Sequence, residues 1–189
     1  MQPVYVVFAG VNGAGKSTFY RTGLWRTEDM PRTMTRVNSD EIVVAQGGDP
    51  ASSADQLRAG REAVRLIEEC LSRRRSFNQE TTLTGHAVLR NMSRAREAGY
   101  RVVLYYIGVD TAAVALDRIA HRVAVGGHDI DEGAVLRRYR ASLGTCRALS
   151  TYATRRRFWT TPSSSLPSLA GVPAFSHGWA TWLNMEPGS

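Results

Sequence analysis

Residues 10–17 read Gly10-Val11-Asn12-Gly13-Ala14-Gly15-Lys16-Ser17, the pattern GxxxxGKS. Its surroundings constrain the fold more than the pattern alone. Before it, Val4-Tyr5-Val6-Val7-Phe8-Ala9 is a continuous apolar run rich in β-branched and aromatic residues, as a buried central strand is. After it, residues 16–24 read as a helix. A glycine-rich turn between a buried strand and a helix start lets backbone N–H groups converge on phosphate oxygens, with the positive end of the helix behind them. Lys16 then reaches the β/γ-phosphates, and the Ser17 hydroxyl is a ligand for Mg²⁺. Gly10, Asn12, Gly13, Ala14, Gly15, Lys16, Ser17 and Thr18 are therefore the expected nucleoside triphosphate site.

Composition sharpens the reading of Lys16. Of the 24 basic residues in this chain of 189, it is the only lysine, so its position calls for a compact ammonium rather than any cation. The net charge of +7 raises nucleic acid as a ligand. No aromatic-interleaved basic stripe supports that, and a solvated basic surface plus a phosphate site accounts for the charge. No apolar run approaches the ~20 residues of a membrane span. The N-terminus carries no basic region ahead of its apolar run, which argues against a secretory signal. Cys70 and Cys146 fall in helical patterns and read as free thiols rather than a disulfide framework. The expectation is a cytoplasmic protein with no membrane partner.

Strand and helix patterns alternate along the chain. After an irregular stretch to about residue 36, Leu57, Val64, Ile67 and Leu71 recur at helical spacing between Asp55 and Arg75. Residues 76–81 read as a strand, and Thr84 as the cap of a helix ending near Ala98, with Gly99 as its left-handed stop. Residues 101–107 form another buried-strand pattern. Asp110 is the expected cap of a helix to about Val125. Gly126-Gly127 breaks it, and Asp131 caps a last helix from Glu132 to about Leu149. This order implies an α/β fold of the three-layer P-loop kinase kind, with a mostly parallel sheet and a helical lid. The expected kinase domain is 1–149. Residues 150–189 read as a Ser/Pro-rich tail of weak order, with no apolar strand to close the sheet.

The rest of the chain narrows the class of nucleotide protein. Neither a guanine-specific NKxD signature nor a strand ending in DxxG is present. Asp40, in Asn38-Ser39-Asp40-Glu41-Ile42, lies where a carboxylate can accept a proton from an acceptor hydroxyl, although a helix N-cap also explains it. Glu80, in Asn78-Gln79-Glu80-Thr81-Thr82-Leu83, sits at a strand end where ligands of open α/β sheets bind. There it can hold substrate hydroxyls or a metal-bound water, with Thr81 beside it; a plain surface carboxylate is the other reading. Arg118 and Arg122 share a helix face, and Arg137, Arg138 and Arg140 follow the Gly126-Gly127 hinge. Such cations suit a lid closing on a triphosphate, with Arg122 and Arg138 first and Arg118 second; a solvated basic face accounts for the others. His121 and His128 lack metal-ligand spacing, and His128 is expected to shape the hinge.

These segments, together with Gly10 to Thr18, Arg122-Val123-Ala124-Val125-Gly126-Gly127-His128-Asp129-Ile130 and Arg137-Arg138-Tyr139, resemble the zeta toxin family, in its compact bacterial branch. The resemblance spans about residues 3–149. It implies a P-loop kinase fold, ATP with Mg²⁺, and phosphorylation of a sugar hydroxyl, with UDP-N-acetylglucosamine the acceptor of the best-known members. It also implies Asp40 as base, Glu80 as substrate contact, lid arginines on the phosphates and an antitoxin protein as partner. The lid departs from the Thr-Ala-Arg of the larger toxins. A metabolic or resistance kinase acting on a nucleoside, sugar or antibiotic stays open, as does a non-catalytic ATP-binding module.

Overall fold

The computed structural model describes residues 2–127, 129–148 and 154–161. The elements run β1 (Val4–Ala9), α1 (Lys16–Thr22), β2 (Thr35–Val37), α2 (Ser39–Ala45), α3 (Ser53–Ser72) and β3 (Phe77–Thr81). They continue with α4 (His86–Glu97), β4 (Arg101–Val109), α5 (Ala112–Ala124), α6 (Glu132–Ala148) and β5 (Arg155–Thr161). The sheet order is β2-β3-β1-β4-β5, every pairing parallel. This is the expected three-layer α/β architecture.

Because β1 is central, both its edges and both its faces are covered, and all six of its residues are buried. Alternation then divides them. Tyr5, Val7 and Ala9 pack with Ile67 of α3, Met92 of α4 and Leu104 of β4. Val6 and Phe8 pack on the opposite side with Phe19 of α1, Ile119 of α5 and Val135 of α6. Phe8 meets Phe19, Trp25 and Tyr105 at ring-centroid distances of 6.2, 5.1 and 5.8 Å. Aromatic pairs of this kind contribute about 0.5–1.5 kcal/mol each beyond their buried area. They seat α1, and with it the phosphate loop, on the end of β1. Trp25 is tied in by its indole N–H to the Tyr20 carbonyl (2.8 Å), and its own carbonyl accepts from the Tyr105 hydroxyl (2.6 Å).

Parallel pairing brings the loops after β1 and β3 to the same end of the sheet. Phe8 is opposite Glu80 and Ala9 opposite Thr81, so Glu80 emerges beside the phosphate loop although 63 residues separate it from Ser17. The Gly10 N–H donates to the Thr81 carbonyl at 3.2 Å, locking the two chain segments together at that point.

Several local expectations change. Asn38 caps α2, its side chain accepting from the Asp40 N–H at 3.0 Å; Asp40 itself caps nothing. Gly85 rather than Thr84 precedes α4, and the Thr84 hydroxyl pairs with that of Thr82. Thr111 rather than Asp110 caps α5, through the Val114 N–H. Asp131 does cap α6, its carboxylate accepting from the Ala134 N–H at 2.8 Å.

The largest correction concerns the tail. Residues 155–161 form β5, paired in parallel with Val103–Val109 of β4, and Thr154 leads in with its N–H on the Val102 carbonyl. The closing strand exists; among the described residues it is a sheet edge, with one paired side, and it begins with three arginines instead of an apolar run. The rest of the expected 150–189 tail, apart from residues 154–161, lies outside the described residues, as does His128. Cys70 is a buried free thiol whose pKa burial raises; the Cys146 side chain is outside the described ones.

Candidate functional site

The loop's glycines are required by space. Gly10 has φ +144°, and a Cβ there would lie 2.1 Å from the Ile107 carbonyl oxygen. Gly13 has φ +76°, and its Cβ would lie 2.5 Å from the Ala115 carbonyl oxygen at the start of α5. The backbone thus threads between β4 and α5 where no side chain fits. It turns into α1 through Gly15, also in the left-handed region, and the Phe19 N–H returns to the Gly15 carbonyl at 2.9 Å. Ala14 is buried, Asn12 half-buried and Thr18 exposed on the first turn of α1.

Lys16 is 8% exposed, and its ammonium donates to the Val11 carbonyl at 3.0 Å. Burial lowers its pKa. The carboxylates of Glu80 and Asp40 push it back up, and the guanidinium groups of Arg122 and Arg138 push it down again. The structure therefore brings these four side chains into the electrostatic reach of one ammonium, from α2, β3, α5 and α6.

Ser17 donates its hydroxyl to Glu80 Oε1 at 2.8 Å. The other carboxylate oxygen, Oε2, accepts from Arg36 Nη2 at 2.5 Å and from Asn38 Nδ2 at 3.1 Å. A hydroxyl and a carboxylate oxygen side by side, at the mouth of a phosphate-binding loop, are hard donors of the kind Mg²⁺ takes together with phosphates and water. The residues fit that ion: Ser17 would ligate it, and Glu80 would hold a water of its shell. Among the described residues no cluster of three or more His, Cys, Asp or Glu forms an all-protein metal site.

Asp40 stands exposed in the first turn of α2, where its Oδ1 accepts from Gln56 Nε2 of α3 at 3.1 Å. Thr81 engages in a turn, its hydroxyl accepting from the Leu83 N–H at 3.0 Å. That turn holds Leu83 at φ +60°, unusual for a non-glycine residue and secured by complete burial of its side chain.

The arginines expected to form a lid approach the loop from two helices. Arg138 of α6 donates to the Asn12 side-chain carbonyl at 2.9 Å, and Arg118 of α5 approaches the Gly13 carbonyl at 3.5 Å. Burial lowers the Arg118 pKa, against the opposing pull of Asp110 and Asp117. Arg122 is half-buried and packs on the hinge, where a Cβ on Gly127 would meet its Cγ at 2.5 Å. The Tyr139 hydroxyl fixes α6 to the end of β4 through the Asp110 carbonyl at 3.0 Å. Arg137 and Arg140, by contrast, are exposed.

Sequence reasoning missed Arg36 and Asn38 as site residues. Their signal was a polar residue at every second position, Arg36 then Asn38, leading from β2 into the cap of α2. A three-residue strand is too short for that alternation to stand out.

A parallel sheet with a glycine-rich loop leading into α1, and cations poised above it, defines a kinase-like P-loop fold of the nucleotide-binding kind. Residues 6–145 match the AAA domain family (AAA_33), and the chain belongs to it. A Haemophilus influenzae protein, described only as an uncharacterized protein, is 34% identical over 139 residues, or 74% of this chain and 94% of that one. A solved putative kinase from Chloroflexus aurantiacus superposes with a TM-score of 0.58 at 14% identity, covering 86% of this chain and 90% of its own. The structure of the PezAT chromosomal toxin–antitoxin system of Streptococcus pneumoniae gives 0.64 at 15% identity, over 84% of this chain and 69% of that one. The chain spans about half, 46%, of the chain it matches in the Pnkp1/Rnl/Hen1 RNA repair complex, at 20% identity and a TM-score of 0.57. No helix among the described residues is long and apolar enough to cross a membrane.

Proposed function

We propose that this chain is an ATP-dependent kinase that moves the γ-phosphoryl group to a hydroxyl of a small molecule. The observation carrying this reading is the set of groups gathered at the phosphate loop: Glu80 on the Ser17 hydroxyl, Arg138 on Asn12, Arg118 at the Gly13 carbonyl, and Asp40 in the first turn of α2, whose Asn38 cap also reaches Glu80. A binding module needs the loop; it does not need a proton acceptor on one side and mobile-phosphate cations on the other.

Asp40, free of capping duty and exposed, accepts the hydroxyl proton as the acceptor oxygen bonds to the γ-phosphorus. The β,γ-bridging P–O bond breaks, and ADP leaves with the electron pair. Lys16 and the backbone N–H groups hold the β- and γ-phosphates, while Arg122 and Arg138, with Arg118 behind them, offset charge on the transferring group. Ser17 and Glu80 would hold Mg²⁺, Ser17 directly and Glu80 through a water, and the ion would supply charge neutralisation to the phosphates. Glu80 and Thr81 border the acceptor side.

The zeta toxin resemblance supports a UDP-N-acetylsugar as acceptor and a cytoplasmic toxin role, and together with the likeness in fold to the PezAT toxin–antitoxin structure it supports an antitoxin as partner. A metabolic or resistance kinase uses the same residues on a different hydroxyl. The test is ADP release against a panel of UDP-N-acetylsugars, nucleosides, sugars and aminoglycosides. Stimulation by one class identifies the acceptor; ATP binding with unstimulated hydrolysis throughout returns the chain to a binding module.

A further inference from the structure

We infer that Arg36, which no motif includes, is a positioning residue that sets the Glu80 carboxylate for the metal–nucleotide complex; the inference rests on the proposed use of Ser17 and Glu80 for Mg²⁺. Arg36 lies on β2, paired in register with Asn78, and faces the α1 side of the sheet. Its side chain is 14% exposed, so the guanidinium needs partners. It has them on every edge. Nε and Nη2 fork onto Glu41 at 2.9–3.2 Å, Nη1 donates to Asn78 Oδ1 at 3.0 Å, and Nη2 donates to Glu80 Oε2 at 2.5 Å. Its flat face lies 3.8 Å from the Tyr20 ring centre.

Stability alone is a weak reason for such a group, because apolar residues often replace a buried ion pair without loss. The asymmetry at Glu80 gives a better one. Oε2 takes both Arg36 and Asn38, which leaves Oε1 turned to the Ser17 hydroxyl. The carboxylate plane is thereby set from behind, as partners outside a metal's immediate ligands set the ligands themselves. Asn38 extends the arrangement: the same side chain that reaches Glu80 caps α2, whose first turn carries Asp40. A planar fork does this; a lysine's point charge can serve Glu80 but not Glu41 and Asn78 together.

The experiment is ATP binding by calorimetry at rising Mg²⁺, without acceptor, on wild type, Arg36→Gln, Arg36→Lys, Glu80→Gln and the Arg36→Gln/Glu80→Gln pair, each checked for a native melt. Arg36→Gln is expected to raise the Mg²⁺ midpoint about tenfold or more, while ATP affinity without Mg²⁺ stays within about twofold. Arg36→Lys is expected to fall between wild type and Arg36→Gln, and it carries the test if the glutamine variant does not fold. The double variant is expected to shift no further than Glu80→Gln alone, since Arg36 acts through that carboxylate. An unmoved midpoint in a folded Arg36 variant, an equal loss of ATP affinity without Mg²⁺, or additive effects in the pair would overturn the inference. Wild-type binding indifferent to Mg²⁺ would overturn it too. A wild type that binds ATP with Mg²⁺ but phosphorylates nothing would overturn the kinase reading and leave this comparison standing.

Discussion

Lys16→Met separates what the lysine does for the fold from what it does for the ligand. Methionine keeps the unbranched stem and removes the ammonium. Burial depresses the Lys16 pKa below its ordinary 10.5, despite Glu80 and Asp40. The folded chain thus holds that proton less tightly than the unfolded chain, and charged Lys16 subtracts from stability below its folded pKa. The cost fades as pH rises from the folded value towards 10.5, because the unfolded state binds more protons across that window. Replacing buried charge by apolar volume often gains about 1–4 kcal/mol, and orphaning the Val11 carbonyl costs about 1–3 kcal/mol. The two ranges nearly offset, so the ligand-free variant should melt close to wild type, between about 2 kcal/mol below it and about 3 kcal/mol above it. Nucleotide separates the two. At ATP-Mg a hundredfold above Kd, wild type gains about 2.7 kcal/mol, which is about 5–11 °C for a chain of this size. Loss of a charged hydrogen bond to phosphate costs about 1.5–3 kcal/mol, or ten- to a hundredfold in affinity. At the same ATP concentration the variant should then gain only about 0.4–1.4 kcal/mol. Differential scanning fluorimetry with and without ATP-Mg reads both numbers. An undiminished ATP shift in the variant would refute the argument.

Asp40→Asn should leave ATP-Mg binding intact and cut acceptor-dependent turnover about 10²-fold or more, read by steady-state kinetics beside calorimetry. A chain ending at residue 153 should melt well below one ending at residue 161, because the shorter one leaves the Val103–Val109 edge of β4 unpaired. Asp29, whose hydrogen bond from Arg101 holds its pKa down to about 2, adds stability above the ordinary carboxylate value of 3.8 and loses it as pH falls towards 2. The melting-temperature difference between wild type and Asp29→Asn should accordingly close between pH 4 and pH 2, and a difference that persists at pH 2 would contradict that assignment.

The interior of the sheet was legible in the sequence and its edges were not. β1, β3 and β4 are flanked on both sides, so burial writes itself into Val4–Ala9 and Arg101–Val109 as apolar runs. Among the described residues, β2 and β5 are the sheet's two ends. The first spans three residues, and the second opens with Arg155-Arg156-Arg157, so neither needs an apolar run and neither was foreseen. Cap positions shifted by a residue or two for a related reason: Asn38, Thr111 and Gly85 sit beside residues equally suited to the role, and only the chain's entry angle decides among them. At the site, residues whose chemistry is local were readable, above all Gly10 to Ser17. Arg36 was not, since its meaning lies in Asn78 and Glu80, which parallel pairing of β2 with β3 brings to it across up to 44 residues, and in Glu41, which the turn into α2 brings back.

The central claim, phosphoryl transfer from this loop to a small hydroxylated molecule, is tested most directly by following the γ-phosphate itself. Wild type and Asp40→Asn are incubated with ATP carrying isotope-labelled γ-oxygens, Mg²⁺ and a small-molecule extract, and products are read by mass spectrometry. The account requires a labelled phosphomonoester that forms in step with ADP in the wild type and is lost, to within about one per cent, in Asp40→Asn. Label recovered only as inorganic phosphate, at equal rates in both proteins, would contradict it.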